Sequence, residues 1–174
     1  MRYVALLRGI NVGGKNKVAM ADLRELLAGL GYTAVTTHLN SGNAVLTAPE
    51  SETIPSDIAG EIRDRLGLDL TVMVRTGPRM REVVREVPVE VTDPAKFTVA
   101  FLSAPLPTGL LASLDLTPYA PDVIHPGERE LYIEFPNGLG RSKLGPALER
   151  LIGVPATVRN WNTVTRLADL AEQE

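Results

Sequence analysis

The 174-residue sequence contains no cysteine and only two histidines, His38 and His125. The lack of cysteine excludes disulfides, thiolate zinc sites and cysteine nucleophiles, and two histidines cannot form a three-histidine metal site. We therefore expect neither a metal nor a cofactor. Aromatic residues make up only 5% of the chain, and no predicted strand has the aromatic-rich pattern that RNA-recognition domains use to stack bases.

The chain also lacks an excess of positive charge and any long hydrophobic run. Its net charge is -3 and its pI is about 5.5, so there is no global attraction to nucleic acid or to an anionic membrane, and any anion site must be local. The apolar run at residues 3–7 is too short for a secretion signal, and no segment approaches the length of a membrane span. These absences predict a cytoplasmic protein without a membrane partner.

Hydrophobic periodicity predicts the order strand, helix, strand, strand, helix, strand over the first 76 residues. Helical spacing of leucines ends at Gly31, and Asn40-Ser-Gly-Asn43 has the turn chemistry of a hairpin. This order is that of the ferredoxin-like fold. The predicted strands are 3–7, 33–39, 44–47 and 70–74, and the predicted helices are 20–30 and 55–66.

The same order repeats after a break. Residues 77–96 are rich in proline and predict a linker that carries a short helix. From residue 97 onward the pattern again predicts βαββαβ, followed by one more helix. The sequence therefore predicts an α+β protein with two ferredoxin-like βαββαβ halves, a duplication, at residues 1–76 and 97–174. The repeat is one of element order, and we find no convincing residue identity between the halves.

The glycine-rich segment after the first strand fits the start of a phosphate-binding loop. Gly9 to Lys15 reads G-x-x-x-x-G-K, but Asn16 occupies the position of the magnesium-binding hydroxyl. The predicted element order also differs from the parallel sheet that carries such loops, so we expect no nucleotide triphosphatase activity. A mobile connection explains the glycines better, but it leaves the cluster of polar residues around them unexplained.

The segment Ser41-Gly42-Asn43 is interpreted first as a tight turn. Ser41 as a nucleophile would need a base, and although His38 is near in sequence, no orienting acid is evident. We interpret His38 as a structural or solvated residue of a strand.

Arg141, Ser142 and Lys143 precede a predicted helix. Ser142 is a good N-cap, while the flanking cations and the helix N-terminus would also suit a phosphate or carboxylate. Both interpretations stay open.

The segment Arg159-Asn-Trp-Asn-Thr163 joins a strand to the last helix. Asn162 or Thr163 is expected to cap that helix, and Trp161 is expected to be a core residue and not a platform for bases. Arg159 has no structural role that the sequence reveals.

Taken together, these segments resemble the domain of unknown function 1697 family of bacterial proteins. The resemblance rests on residues 6–18, Met20, Leu23, the Asn40-Ser-Gly-Asn43 turn, Arg141-Ser-Lys143 and residues 157–163, in this order. It implies a pair of ferredoxin-like halves and no established substrate, so no catalytic residue is assigned. His38 stands in a stretch that usually carries hydroxyl residues in this family, which weakens any catalytic role for it.

The motifs together predict a site that binds a small anionic ligand, such as a nucleotide or sugar phosphate, in a cleft between the halves. They are rich in cations, amides and hydroxyls and contain no carboxylate, which suits binding of an anion better than acid–base catalysis. Whether the protein is an enzyme stays open. Nucleic-acid binding and a structural or oligomeric module without a ligand are the alternatives. The candidate ligand-binding residues are Arg8, Asn11, Lys15, Lys17, Ser41, Asn43, Arg141, Ser142, Lys143, Arg159, Asn160 and Asn162.

Topology predicts which of these residues meet. In a βαββαβ unit, the loop after the first strand and the turn between the second and third strands share one end of the sheet. Arg8 and Asn43 are thus expected at one end of the first sheet, and Ser142 and Arg159 at one end of the second.

Overall fold

A computed structural model describes residues 1–173. As predicted, the protein is α+β, with two four-stranded antiparallel sheets, and this described part of the chain contains six α-helices. It divides into two compact units, Met1–Val84 together with the segment from Arg166 onward, and Arg85–Thr165. The domain boundaries expected from the sequence, with halves at residues 1–76 and 97–174, stay a prediction. Within residues 1–173, no helix is both long and apolar enough to cross a bilayer.

The first unit contains one sheet with the strand order β2-β3-β1-β4, in which every neighbouring pair is antiparallel. β1 is central and buried along nearly its whole length, because its successive side chains face both sides of the sheet. The elements are β1 (Arg2–Leu7), α1 (Met20–Gly29), β2 (Thr33–Thr37), β3 (Asn43–Thr47), α2 (Ile54–Leu66), β4 (Val72–Thr76) and α3 (Gly77–Arg85).

Helices α1 and α2 form the core of the first unit against one face of this sheet. Leu23, Leu26 and Leu27 of α1 are buried at helical spacing. They belong to one apolar cluster with Ala5 and Leu7 of β1. The core thereby fixes the position at which β1 ends.

The second unit repeats this arrangement with the strand order β6-β7-β5-β8, again antiparallel throughout. Its first helix, α4, is only four residues long, whereas α1 has ten. The elements are β5 (Phe97–Leu102), α4 (Leu110–Ser113), β6 (Val123–Pro126), β7 (Glu130–Glu134), α5 (Leu144–Ile152), β8 (Ala156–Asn160) and α6 (Trp161–Glu172).

Each sheet's last strand passes directly into a helix, and a side chain caps the junction. The Thr76 hydroxyl accepts a hydrogen bond from the Arg79 amide at 3.1 Å, and the Asn160 carbonyl oxygen accepts one from the Thr163 amide at 2.9 Å. The prediction that Asn162 or Thr163 caps the last helix is therefore wrong. Asn160 has the acceptor at the N-cap position, three residues before the amide that needs a partner.

The fourth strand lies two residues later than predicted, at Val72–Thr76. Leu70 is buried, but it lies in the connection before the strand. The strand instead includes Arg75, a buried charged residue. An apolar pattern could not assign such a residue to a central position.

Arg2 joins the C-terminal helix to the first sheet. Its guanidinium donates to the Ala34 carbonyl at 3.0 Å, to the Thr47 hydroxyl at 3.1 Å and to the Leu170 carbonyl at 3.2 Å. One side chain thus connects β1, β2, β3 and α6.

We expect Arg2→Met to lower the free energy of unfolding by about 2 kcal/mol, since hydrogen bonds from a charged donor contribute about 1.5–3 kcal/mol. Amide exchange should also become faster in the last turns of α6. Arg24→Met is the matched control, because Arg24 makes one exposed bond to Thr37, and a surface change of this kind costs about 0.5 kcal/mol. Equal losses of stability in urea denaturation would contradict this role for Arg2.

Candidate functional site

The glycine-rich segment after β1 folds into a small hairpin at residues 11–16. Val12 and Lys15 form an antiparallel bridge, and the Asn11 amide donates to the Asn16 carbonyl at 3.1 Å. Gly13 and Gly14 between them have φ values of 59° and 73°, as the two central residues of a type I′ turn require. The glycines therefore serve a defined hairpin and not the loose connection that the sequence suggested.

The geometry of this hairpin differs from that of a phosphate-binding loop. Helix α1 begins at Met20, five residues after Lys15. In a phosphate-binding loop the lysine stands at the start of the helix. Here the Lys15 amide donates to the Val12 carbonyl at 3.0 Å and closes the hairpin.

Asn11 holds the hairpin to its surroundings. Its side chain pairs with both backbone groups of Val18, each at 2.9 Å, and also donates to the Asn40 carbonyl at 2.6 Å. Asn16 adds a bond from its side chain to the Gly9 carbonyl at 3.1 Å. The side-chain amide of Asn11 thus joins the loop after β1 to the turn between β2 and β3.

Asn43 shapes that turn from the inside. It is fully buried, and its amide donates to the His38 carbonyl at 2.8 Å and to the Ser41 hydroxyl at 2.9 Å. The His38 amide in turn donates to the Asn43 carbonyl at 2.9 Å. Ser41 and Asn43 therefore act within the turn, which supports the structural interpretation of this motif.

The loop and the turn pack directly on each other. The Leu7 amide donates to the Gly42 carbonyl at 2.8 Å. A Cβ atom placed on Gly42 would lie 2.8 Å from side-chain atoms of both Leu7 and Ile10. Arg8 and Asn43 thus lie at the same end of the first sheet, as topology led us to expect. We call this the loop–turn end of the first unit, formed by residues 8–19 and 38–43.

An open groove of about 430 Å³ lies at the loop–turn end. Lys17 lines it, and within residues 1–173 neither Lys17 nor the neighbouring Lys15 has an ion-pair or hydrogen-bond partner for its ammonium group. The groove also reaches Ala19, the N-cap position of α1, where no side chain caps the helix. The residues that line it are Asn11, Gly14, Lys17, Val18, Ala19 and Asn40.

The uncapped start of α1 is a feature that our motif search missed. The sequence does carry a signal for it, because Ala19 stands where Ser, Thr, Asp or Asn normally supplies the cap. The first amides of a helix are donors without an intrahelical partner, and they carry partial positive charge.

In the second unit, Ser142 is hydrogen-bonded to a carboxylate. Its hydroxyl donates to Asp122 at 2.7 Å and accepts from the Gly145 amide at 3.0 Å. Ser142 therefore bonds to an amide in the first turn of α5, whose N-cap position is Lys143. The motifs contain no carboxylate of their own, but Asp122 brings one into contact with Ser142. Asp122 precedes β6, about twenty residues away in the chain, and no local pattern indicated the contact. Arg141 and Lys143 beside it are exposed.

Arg159 has the structural role that the sequence did not reveal. It is buried, and its guanidinium donates to the Thr157 hydroxyl at 2.6 Å and to the Val158 carbonyl at 3.0 Å. Burial lowers the pKa of Arg159 to about 10, because a low dielectric disfavours the charged form.

Arg159 and Ser142 lie at the same end of the second sheet but not in contact. The end of β8 and the end of β7 both flank the start of β5. Ser142, however, is bonded to Asp122 beside β6, and three strand spacings separate β6 from β8, roughly 14 Å. The expectation that all these residues share one cleft stays a prediction.

Two other residues of the last motif, Trp161 and Asn162, make contacts within the second unit that are common in folded proteins. Trp161 packs edge-on against Phe97, with 5.4 Å between ring centroids. Asn162 is exposed, and its carbonyl accepts a bond from the Thr165 hydroxyl at 3.0 Å.

His38 is the histidine of the loop–turn end. Burial lowers the pKa of His38 below its usual 6.5, and positive Arg166 lowers it further. In the described chain, no group of three His, Asp or Glu side chains is arranged to hold a metal ion.

Comparisons with known proteins place the fold but not the function. The family described as "Protein of unknown function (DUF1697)" matches residues 1–132. A conserved bacterial protein from Streptococcus pneumoniae has a similar structure, with a TM-score of 0.79, 23% identity and 98% of each chain covered. At this identity the similarity concerns the fold alone. No curated protein matches the chain.

We expect Gly42→Ala to lower the free energy of unfolding by about 3 kcal/mol. The left-handed backbone costs a residue with a Cβ about 1–2 kcal/mol, and overpacking against Leu7 and Ile10 adds about 1–3 kcal/mol. Gly67→Ala is the matched control, because Gly67 has φ +68° but nothing within 4 Å of its Cβ position. It should lose only about 1 kcal/mol. Similar losses for both variants in urea denaturation would show that the loop and the turn are not in tight contact.

His38 should make stability depend on pH. Its folded-state pKa is lowered, so the unfolded chain binds the proton more tightly and stability falls as the pH drops below about 7. His38→Gln should remove this part of the pH dependence. The measurement is urea denaturation of both proteins from pH 8 to pH 5. A difference in unfolding free energy that stays constant with pH would contradict the lowered pKa.

Proposed function

We propose a function for this chain, which belongs to the DUF1697 family of proteins of unknown function: it binds a small anionic ligand at the loop–turn end of its first unit. The observation that carries the proposal is the groove of about 430 Å³ beside Lys17 and the uncapped start of α1. The ligand carries a phosphate or a carboxylate.

Charged and backbone donor groups lie at and beside this groove. The amides of Gly13 and Gly14 donate to no carbonyl within residues 1–173, and Lys15 and Lys17 add two positive charges. Charged donors form stronger hydrogen bonds to anions than neutral ones do. The groove's lining residues include no carboxylate in the described chain, so nothing among them repels an anion.

Asp22 works against binding, since it lies in the first turn of α1. A negative charge at a helix N-terminus competes with an external anion for the same partial positive charge. Removing the charge of Asp22 should therefore raise the affinity for an anion, whereas removing the charge of a lysine should lower it.

Of the twelve residues that the motifs suggested, the proposal assigns direct contacts to Lys17 and Lys15. Asn11 and Asn43 act by holding the loop and the turn in place, because their amide donors already have partners. Arg141 and Lys143 border a separate depression of about 150 Å³ in the second unit, which is a weaker candidate because Asp122 lines it.

We also propose that both units are ferredoxin-like and arose by duplication. The sheet orders correspond strand for strand, and so do the registers: Val4 pairs with Arg75 as Val99 pairs with Arg159. The caps at Thr76 and Asn160 are also equivalent. This alignment supports a repeat of βαββαβα, with residues Val4, Ala5, Leu7, Val74 and Arg75 repeated as Val99, Ala100, Leu102, Val158 and Arg159.

A structural module without a ligand is the second candidate. The bonds of Asn11 to the Asn40 carbonyl and of Asn43 to the Ser41 hydroxyl favour it, since both asparagines have a structural role within the protein. Binding of bases to the sheet has less support, because Phe97, Phe101 and Tyr132 are buried and base stacking needs exposed rings.

We expect a phosphate-bearing ligand to stabilise the protein, by about 2.7 kcal/mol at one hundred times its dissociation constant. Inorganic phosphate, adenosine monophosphate and glucose 6-phosphate are the probes in a thermal-shift assay. Lys17→Gln should weaken binding about tenfold, the loss of one charge-assisted hydrogen bond. Asp22→Asn should strengthen it, and Lys15→Gln should have a smaller effect than Lys17→Gln.

The control is Lys96→Gln, which removes the same charge from the second unit and should leave affinity unchanged. Absence of stabilisation by any of the probes favours the structural module. Equal weakening by Lys96→Gln would contradict a site at the loop–turn end. Affinity for oligonucleotides that falls steeply with salt would instead assign the lysines to nucleic acid.

A further inference from the structure

The second unit has a groove at the position that corresponds to the loop–turn end of the first. It lies between the loop after β5, the start of α4 and the turn between β6 and β7, and its volume is about 270 Å³. The strand and turn elements that border it match those of the first unit in order and register. This equivalence rests on the proposed duplication.

The chemistry of this groove is opposite to that of the first. Leu102 and Leu131 are buried at its base, and Leu106, Leu110 and Leu111 form its walls. In the described chain, Glu128 is the only charged residue that lines it.

The short α4 explains why the groove is there. In the first unit, three leucines of the ten-residue α1 are buried on the sheet. In the second, α4 has four residues, and none of them is buried. Leu110 and Leu111 stay half-exposed, so apolar surface that α1 completes in one unit remains accessible to a ligand in the other.

We propose that this groove binds a small, uncharged apolar molecule, with the bulk of a short alkyl chain or one aromatic ring. An apolar cavity of about 150 Å³ is enough to hold benzene, whereas drug-sized ligands occupy pockets of about 300 Å³ or more. The carboxylate of Glu128 disfavours anions here. The two equivalent grooves thus take ligands of different chemistry, and this site does not depend on anion binding in the first unit.

The test compares 1-hexanol with hexanoate, which share a chain length and differ in charge. Both are titrated into the full-length protein while the methyl signals of its leucines are recorded by NMR. Hexanol should shift the signals of Leu106, Leu110 and Leu111 in a saturable way and leave those of Leu23 and Leu26 unchanged. Hexanoate should bind about fivefold more weakly, the effect of one like charge at about 4 Å in water. Glu128→Gln should remove that difference.

Ala112→Trp should abolish hexanol binding, because Ala112 is exposed and lines the groove. Val123→Trp is the control, since Val123 is an exposed residue of β6 outside the groove. No saturable shift up to the solubility limit of hexanol would overturn the proposal, as would equal loss of binding in Val123→Trp. Shifts of the same leucines on raising protein concentration without hexanol would assign the groove to a second copy of the chain and also overturn it.

Discussion

β1 pairs with β3 on one side and β4 on the other, and both partners run antiparallel to it. Its side chains from Tyr3 to Leu7 are buried on both faces of the sheet, so neither its register nor its end can shift without exposing apolar surface. The point at which β1 ends therefore fixes where the chain leaves the core. The hairpin, the groove and the start of α1 all follow from that point. The same constraint acts on β5 in the second unit, where it fixes a groove of different chemistry.

At this end of the sheet, asparagine side chains form the hydrogen bonds to backbone groups that a neighbouring strand would otherwise form. Asn11 pairs with Val18 as a neighbouring strand would, and reaches the turn through Asn40. Asn43 satisfies a carbonyl inside the turn from a fully buried position. The ammonium groups of Lys15 and Lys17 and the amides of Gly13 and Gly14 take no part in these bonds. A site formed in this way depends on rigid support from residues that never touch the ligand.

Much of the fold could be predicted because apolar patterns match strands and helices that pack against one core. The predicted helices 20–30 and 55–66 agree with α1 and α2. The fourth strand was predicted two residues too early because Arg75 is buried. A pattern of hydrophobic residues does not predict a buried charge. The same limitation hid the structural role of Arg159. The sequence predicted a repeat of element order, but the residues that correspond between the two units are found only from the strand registers, since they are few and scattered.

The sequence predicted which loops of the candidate site are neighbours, but not the hydrogen-bond partners of their side chains. Topology is enough to bring Arg8 and Asn43 to one end of a sheet, because antiparallel pairing fixes which loops are neighbours. Topology does not say which side chains already have hydrogen-bond partners. Three of the suggested ligand contacts, Asn43, Ser142 and Asn160, are bonded within a turn or at the start of a helix. We propose that the loop–turn end of the first unit is an anion site. The most direct measurement is a map of backbone amide chemical shifts during titration with inorganic phosphate. We expect saturable shifts at Gly13, Gly14, Lys17 and the first residues of α1. Shifts confined to Arg141 and Lys143, or none that saturate, would contradict an anion site there.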